Sequence, residues 1–232
     1  MTEDEKKLTA YHEAGHAIVG LNVPQHDPIH KATIIPRGRA LGLVLSLPER
    51  DQLSVTKTKY KSKLTMAMGG KVAEEMIFGA ENVTSGAASD IQQITKIARA
   101  MVTQFGMSED LGNIDYANEQ QSYLGPMSGG HQSGPETQSK IDIEVRKLVD
   151  EAYDTAKKIL KKHKADLKRL AEGLLEYETL TGDEITAVIA GKSLNRDGEQ
   201  NFPDEKGPPS LAAVPKAGKF RGPGTGKLSP QS

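Results

Sequence analysis

Apolar residues recur at helical spacing through most of this chain and cluster in short β-prone runs only once. Leu8, Tyr11, Ile18 and Val19 mark a first helix between Thr2 and Pro24. Thr2 and Glu5 open it as a Thr-x-x-Glu capping box, and Pro24 stops it. Ala32 to Ile35 and Leu41 to Leu47 are the short runs. Pro36-Arg37-Gly38-Arg39 joins them with turn-forming Pro and Gly, which predicts a hairpin or edge pair. The helical period returns from about Thr56 to Phe78, where the internal Gly69-Gly70 costs about 1 kcal/mol per glycine relative to Ala. That pair is expected to admit another backbone at close range. Val83 to Asp90 is rich in capping residues and leads into Ile91, Ile94, Ile97, Ala98, Met101, Val102 and Phe105, with Asp90 near the helix start. About Asn118 to Gln138 lacks periodicity and reads as a loop. Long amphipathic helices follow at about Ser139 to Lys162 and Ala165 to Tyr177. A second capping box, Thr181 and Glu184, opens a short last helix through Ala190, with Gly191 as its terminator. The expectation is a mainly α domain over 1–191 with a small β-hairpin or edge sheet, followed by a disordered C-terminal tail over 192–232.

Composition refines this picture. Half of the prolines lie beyond Lys192, which accounts for a hydrophobic fraction of 36%, a little low for a wholly packed chain of 232 residues. A formal net charge of -1 gives no reason to expect nucleic acid as a partner. There are no cysteines, so disulfides and thiolate metal sites are excluded and any zinc must be held by His, Asp or Glu. No apolar run approaches the roughly 20 residues needed to cross a bilayer and no signal peptide is evident, so the fragment as it stands is expected to be soluble. Gly222 to Lys227 superficially suggests a phosphate-binding loop. The glycine spacing fails, Leu228 stands where Ser or Thr is needed, and no strand precedes it. No ATP site is expected.

The most specific chemistry lies in the first helix, at His12-Glu13-Ala14-Gly15-His16. Histidines four residues apart share one helix face and can reach a single ion, with Glu13 beside them as a base for water. Catalytic zinc typically takes three protein ligands and keeps an open position, so one ligand is missing. Glu74, Glu75 and Asp90 are the carboxylate candidates. His26 and His30 follow the helix stop without ligand spacing and read as loop histidines.

Several segments then carry a family resemblance. They are Ala10 to Ala17, His26-Asp27-Pro28, Thr33 to Gly38, Gly69 to Glu75 and Thr84 to Asp90. In this order and spacing, over roughly 1–190, they resemble the protease domain of the FtsH family of ATP-dependent zinc metalloproteases. The resemblance implies one zinc ion per chain bound by His12, His16 and Asp90, with Glu13 as catalytic acid/base. It also makes Glu74 a candidate to orient a histidine ligand, since such imidazoles commonly give their other N–H to a carboxylate. It further implies a zinc endopeptidase acting on unfolded or unfolding polypeptides, assembled as a homohexamer. The full-length protein would carry an AAA ATPase module and a membrane anchor, with the protease on the cytoplasmic side of a bacterial inner membrane. Neither module lies in these 232 residues, and the start at Met1 reads as a domain boundary.

Leu41 to Leu47 adds a place for substrate, because a free strand edge can hold an extended chain through main-chain hydrogen bonds. Tyr11 reads as packing. Two alternatives predict different behaviour. A noncatalytic hexamerisation or scaffold domain with an inert zinc site would bind metal without cleaving casein. A helical interaction module with a chance motif would bind no metal.

Overall fold

The computed structural model describes residues 2–36, 38, 41–48, 50–116 and 134–194, which belong to one compact unit ending at Leu194. Most of the expected tail and the Gly222 to Lys227 segment lie outside the described residues, as do residues 118–133 of the expected loop. Among the described residues the fold is mainly α: six helices, two short 3-10 turns and a three-stranded antiparallel sheet.

Helix α1 runs Glu3–Asn22 and begins in the expected capping box. The Glu5 amide donates to the Thr2 hydroxyl at 3.2 Å and the Thr2 amide to Glu5 Oε2 at 2.7 Å. Its middle is buried almost all round, from Thr9 to Gly20, so it forms the axis of the domain. Tyr11 is part of that core and meets Phe78 edge to face at 5.7 Å, as packing requires.

Helix α2, Lys57–Phe78, crosses α1 at its glycine pair and is not interrupted by it. A Cβ on Gly69 would stand 2.6 Å from the Gly15 carbonyl oxygen, and one on Gly15 would strike the Gly69 carbonyl in turn. The two backbones touch at this crossing because neither residue has a side chain. Gly15→Ala must separate the helices that carry the site, so we expect a loss of about 1–3 kcal/mol in stability by denaturant unfolding. Wild-type stability in that variant would contradict the crossing.

Helix α3 spans Ala88–Thr103, α4 Pro135–Lys162, α5 Lys164–Tyr177 and α6 Gly182–Ile189. The fourth starts four residues earlier than its periodicity suggests, since Pro135 takes the first helical position, where its missing N–H is harmless. The second expected capping box forms at α6 through Thr181 and Glu184.

Strands β1, Ile29–Thr33, and β2, Leu43–Ser46, pair antiparallel as the expected hairpin, and β3, Thr179–Thr181, joins the other side of β1. The order β2-β1-β3 leaves β2 at an edge. β3 was not expected. The Ile34 amide donates to the Glu178 carbonyl at 2.9 Å, which ties the chain end of α5 into the sheet beside β1. No helix among the described residues is long and apolar enough to cross a membrane.

Candidate metal centre

The i, i+4 spacing on α1 brings the two imidazoles together, with His12 Nε2 3.0 Å from His16 Nε2. Asp90, in the first turn of α3, reaches both. Its Oδ2 lies 3.2 Å from His12 Nε2 and 3.4 Å from His16 Nε2. Ligands bonded at about 2.0–2.2 Å to a tetrahedral zinc lie about 3.3–3.5 Å apart, so this triangle has nearly the size of one face of such a site.

The far side of each ring fixes which nitrogen faces the centre. His12 Nδ1 donates to Glu74 Oε1 at 2.7 Å and His16 Nδ1 to the Met66 carbonyl at 2.8 Å, so in the neutral rings both Nε2 lone pairs point inward. The Gly70 amide, 3.3 Å from His16 Nδ1, is the one that helical geometry aims at the same Met66 carbonyl. Asp90 Oδ2 is buried and has no hydrogen-bond partner. Three electron-pair donors therefore converge, an arrangement that calls for positive charge. Without a metal that charge is a proton. Burial opposes it, yet Asp90, Glu74 and Glu13 together carry the His12 pKa up to about 10, while the imidazoles hold the Asp90 carboxyl well below its usual range against its own burial. A His-His-Asp set without cysteine suits zinc, and these residues fit the ion that the motif implies.

Gly70 makes the space. A Cβ there would sit 2.6 Å from both His12 Nε2 and His16 Nε2, too close for the two rings to keep their places. The glycine pair thus has two jobs: Gly69 admits a backbone and Gly70 admits the imidazoles. Sequence reasoning captured only the first.

Glu74 is wholly buried, where an unpaired carboxylate would be costly. Besides His12, it accepts from the Thr84 amide at 3.0 Å and the Thr84 hydroxyl at 3.3 Å. Burial raises its pKa, but these donors outweigh it and keep the group anionic. Glu74→Gln preserves the shape and removes the charge paired with His12. Zinc affinity should fall about 10–100-fold in a chelator competition, and an unchanged affinity would remove Glu74 from the site.

Glu13 is also buried, with its carboxylate against Gly42, whose Cβ would stand 2.5 Å from Glu13 Oε1. Burial pushes its pKa up, against the pull of His16 and His12. Of the other candidates, Glu75 turns away toward α4, where the Tyr153 hydroxyl donates to it, and His30 is exposed on β1. His26 lies outside the triad but lines the same cleft. This cleft, about 710 Å³, has the triad and Glu13 in its floor and Leu41 to Ser46 along one wall.

The family model for Peptidase family M41 matches residues 1–188. The chain belongs to peptidase family M41. Among M41 relatives, the chain is 48% identical over 203 residues to the ATP-dependent zinc metalloprotease FtsH of Rickettsia bellii, covering 88% of this chain and 32% of that protein. It is 49% identical over 220 residues to the FtsH of Caulobacter vibrioides, covering 94% of this chain and 35% of that protein. A chloroplastic or mitochondrial ATP-dependent zinc metalloprotease of the same type from Arabidopsis thaliana is 46% identical over 205 residues, covering 88% of this chain and 24% of that protein. This M41 chain thus spans about a third of the length of the bacterial relatives it matches.

Proposed function

We propose that this chain is a zinc-dependent endopeptidase that hydrolyses peptide bonds of unfolded or unfolding proteins, as the proteolytic module of an FtsH-like ATP-dependent protease. The observation that carries the reading is the convergence of His12 Nε2, His16 Nε2 and Asp90 Oδ2 within 3.0–3.4 Å, in the floor of a cleft beside a buried glutamate. His12, His16 and Asp90 are the metal ligands, with Glu74 and the Met66 carbonyl holding the two rings in register. Bound zinc would act as a Lewis acid, lowering the pKa of water and polarising the scissile carbonyl. Glu13, with its raised pKa, takes the proton of the attacking water and returns it to the leaving amine.

Strand β2 supplies the substrate platform. It pairs only with β1 among the described residues, so its outer edge keeps backbone donors and acceptors for an extended chain laid along the cleft wall. Main-chain recognition suits a peptidase of broad sequence tolerance. In the full-length protein, an AAA ATPase module would unfold substrate and feed it to a homohexamer of such domains anchored at the cytoplasmic side of a bacterial inner membrane. The names of the relatives, ATP-dependent zinc metalloproteases, support the motor and the metal.

The test is hydrolysis of casein by the isolated chain. Cleavage should be weak, abolished by chelation, restored by zinc and indifferent to ATP. Zinc binding with no cleavage would favour an inert scaffold, and stimulation by ATP would contradict the expectation that this chain holds no ATP site.

A further inference from the structure

Gly20 lies four residues beyond His16 on α1, hence on the same face and about 6 Å further along the axis. Three side chains from other elements meet the helix there. A Cβ on Gly20 would stand 3.3 Å from Ile29 Cδ1 and 3.5 Å from both His26 Cε1 and Met66 Cγ. One side of the cleft is therefore built directly against α1, one helical turn from the metal ligands.

Two polar groups on that side have hydrogen-bonding capacity that is not used among the described residues. His26 Nδ1 donates to the Asp27 carbonyl at 2.7 Å, which leaves the ring's acceptor lone pair on Nε2, where no hydrogen bond is made among the described residues. Burial pushes the His26 pKa down, so the ring stays neutral and Nε2 remains an acceptor near neutral pH. Ser46 is the second. It pairs across the sheet with Ile29, next to a register irregularity between Ile29 and Lys31, and lines the cleft together with His26. Its Oγ is buried without a hydrogen-bond partner. Buried polar groups are ordinarily satisfied, and exceptions call for an explanation. His26 and Ser46 line the cleft together with Val44, Met66 and Ala67, which supply apolar surface between them.

We propose that this part of the cleft is a side-chain subsite for the substrate residue next to the scissile bond. It takes a long side chain that is apolar along its body and carries a hydrogen-bond donor at its tip, tyrosine foremost. The assignment rests on the peptidase reading. An extended substrate advances about 3.3 Å per residue, so a bond held over the triad puts a neighbouring side chain within reach of Gly20. Its apolar body lies against Met66, Ala67 and Val44, and its hydroxyl completes His26 Nε2 with Ser46 Oγ alongside. Edge-strand pairing alone is blind to side chains, so this subsite gives a broad peptidase a graded preference.

The test uses two peptides identical except for Tyr or Phe at the position flanking the cleaved bond. Wild-type chain loaded with zinc should favour the Tyr peptide by about threefold to tenfold in kcat/KM, the size of one added hydrogen bond. His26→Phe and, independently, Ser46→Ala should bring that ratio toward one, with zinc content and unfolding midpoint reporting an intact site. The same peptides are bound to zinc-loaded Glu13→Gln, which needs no turnover. Discrimination in this variant that disappears with His26→Phe supports the subsite even where the wild type hydrolyses nothing, an outcome that would sink only the peptidase reading. Equal kcat/KM and equal binding for the two peptides, or a Tyr preference untouched by both substitutions, overturns the subsite.

Discussion

Glu13→Gln should lower kcat for peptide hydrolysis by about 10²–10⁴-fold while leaving one zinc per chain. Glutamine keeps the size of the side chain that packs against Gly42. It loses the ability to take a proton, and the converging atoms of His12, His16 and Asp90 are untouched. The loss should fall on kcat, because the β2 edge proposed to hold substrate is unaltered. Freshly purified Glu13→Gln with wild-type turnover would remove this residue from the chemistry. Loss of zinc in the same variant would assign it to the metal site instead.

Asp90→Asn should reduce zinc affinity by at least about 100-fold. The substitution keeps the side chain's shape but exchanges a buried anionic oxygen, 3.2 and 3.4 Å from the two imidazoles, for a neutral group. Two uncharged nitrogens on α1 then face the ion alone, which falls short of the three ligands a catalytic zinc site requires. Asp90 also stands in the first turn of α3, where a carboxylate favours the helix dipole. A role confined to the dipole predicts a small stability change and unchanged zinc affinity. Titration against a chelator of known affinity, with thermal unfolding of the metal-free variant alongside, separates the two roles.

What the sequence revealed followed the range of each interaction. The capping boxes at Thr2 and Thr181 form between residues three apart, and the His12-His16 pair between residues four apart, so reading along the chain found them. The third corner of the triangle lay at longer range. Glu74, Glu75 and Asp90 are all acids on helices, and which of them enters the triangle depends on how α3 leaves the 3-10 turns at Ala80–Asn82 and Ser85–Ala87. Family resemblance, not periodicity, singled out Asp90. The Met66 carbonyl that holds His16 carries no residue signature, and any residue at that turn of α2 would present the same oxygen. β3 is three residues long and follows α5 directly, too short for an alternation to show. His26 read as an ordinary loop residue because its place in the cleft is set by α2 and β1 meeting α1 at Gly20.

The most direct test of the central claim is a crystal structure of the zinc-loaded chain with anomalous data collected on both sides of the zinc absorption edge. The account predicts one zinc peak per chain, within about 2.0–2.2 Å of His12 Nε2, His16 Nε2 and an Asp90 carboxylate oxygen, with Glu74 still bonded to His12 Nδ1. No peak there, or a zinc bound without Asp90, would contradict it.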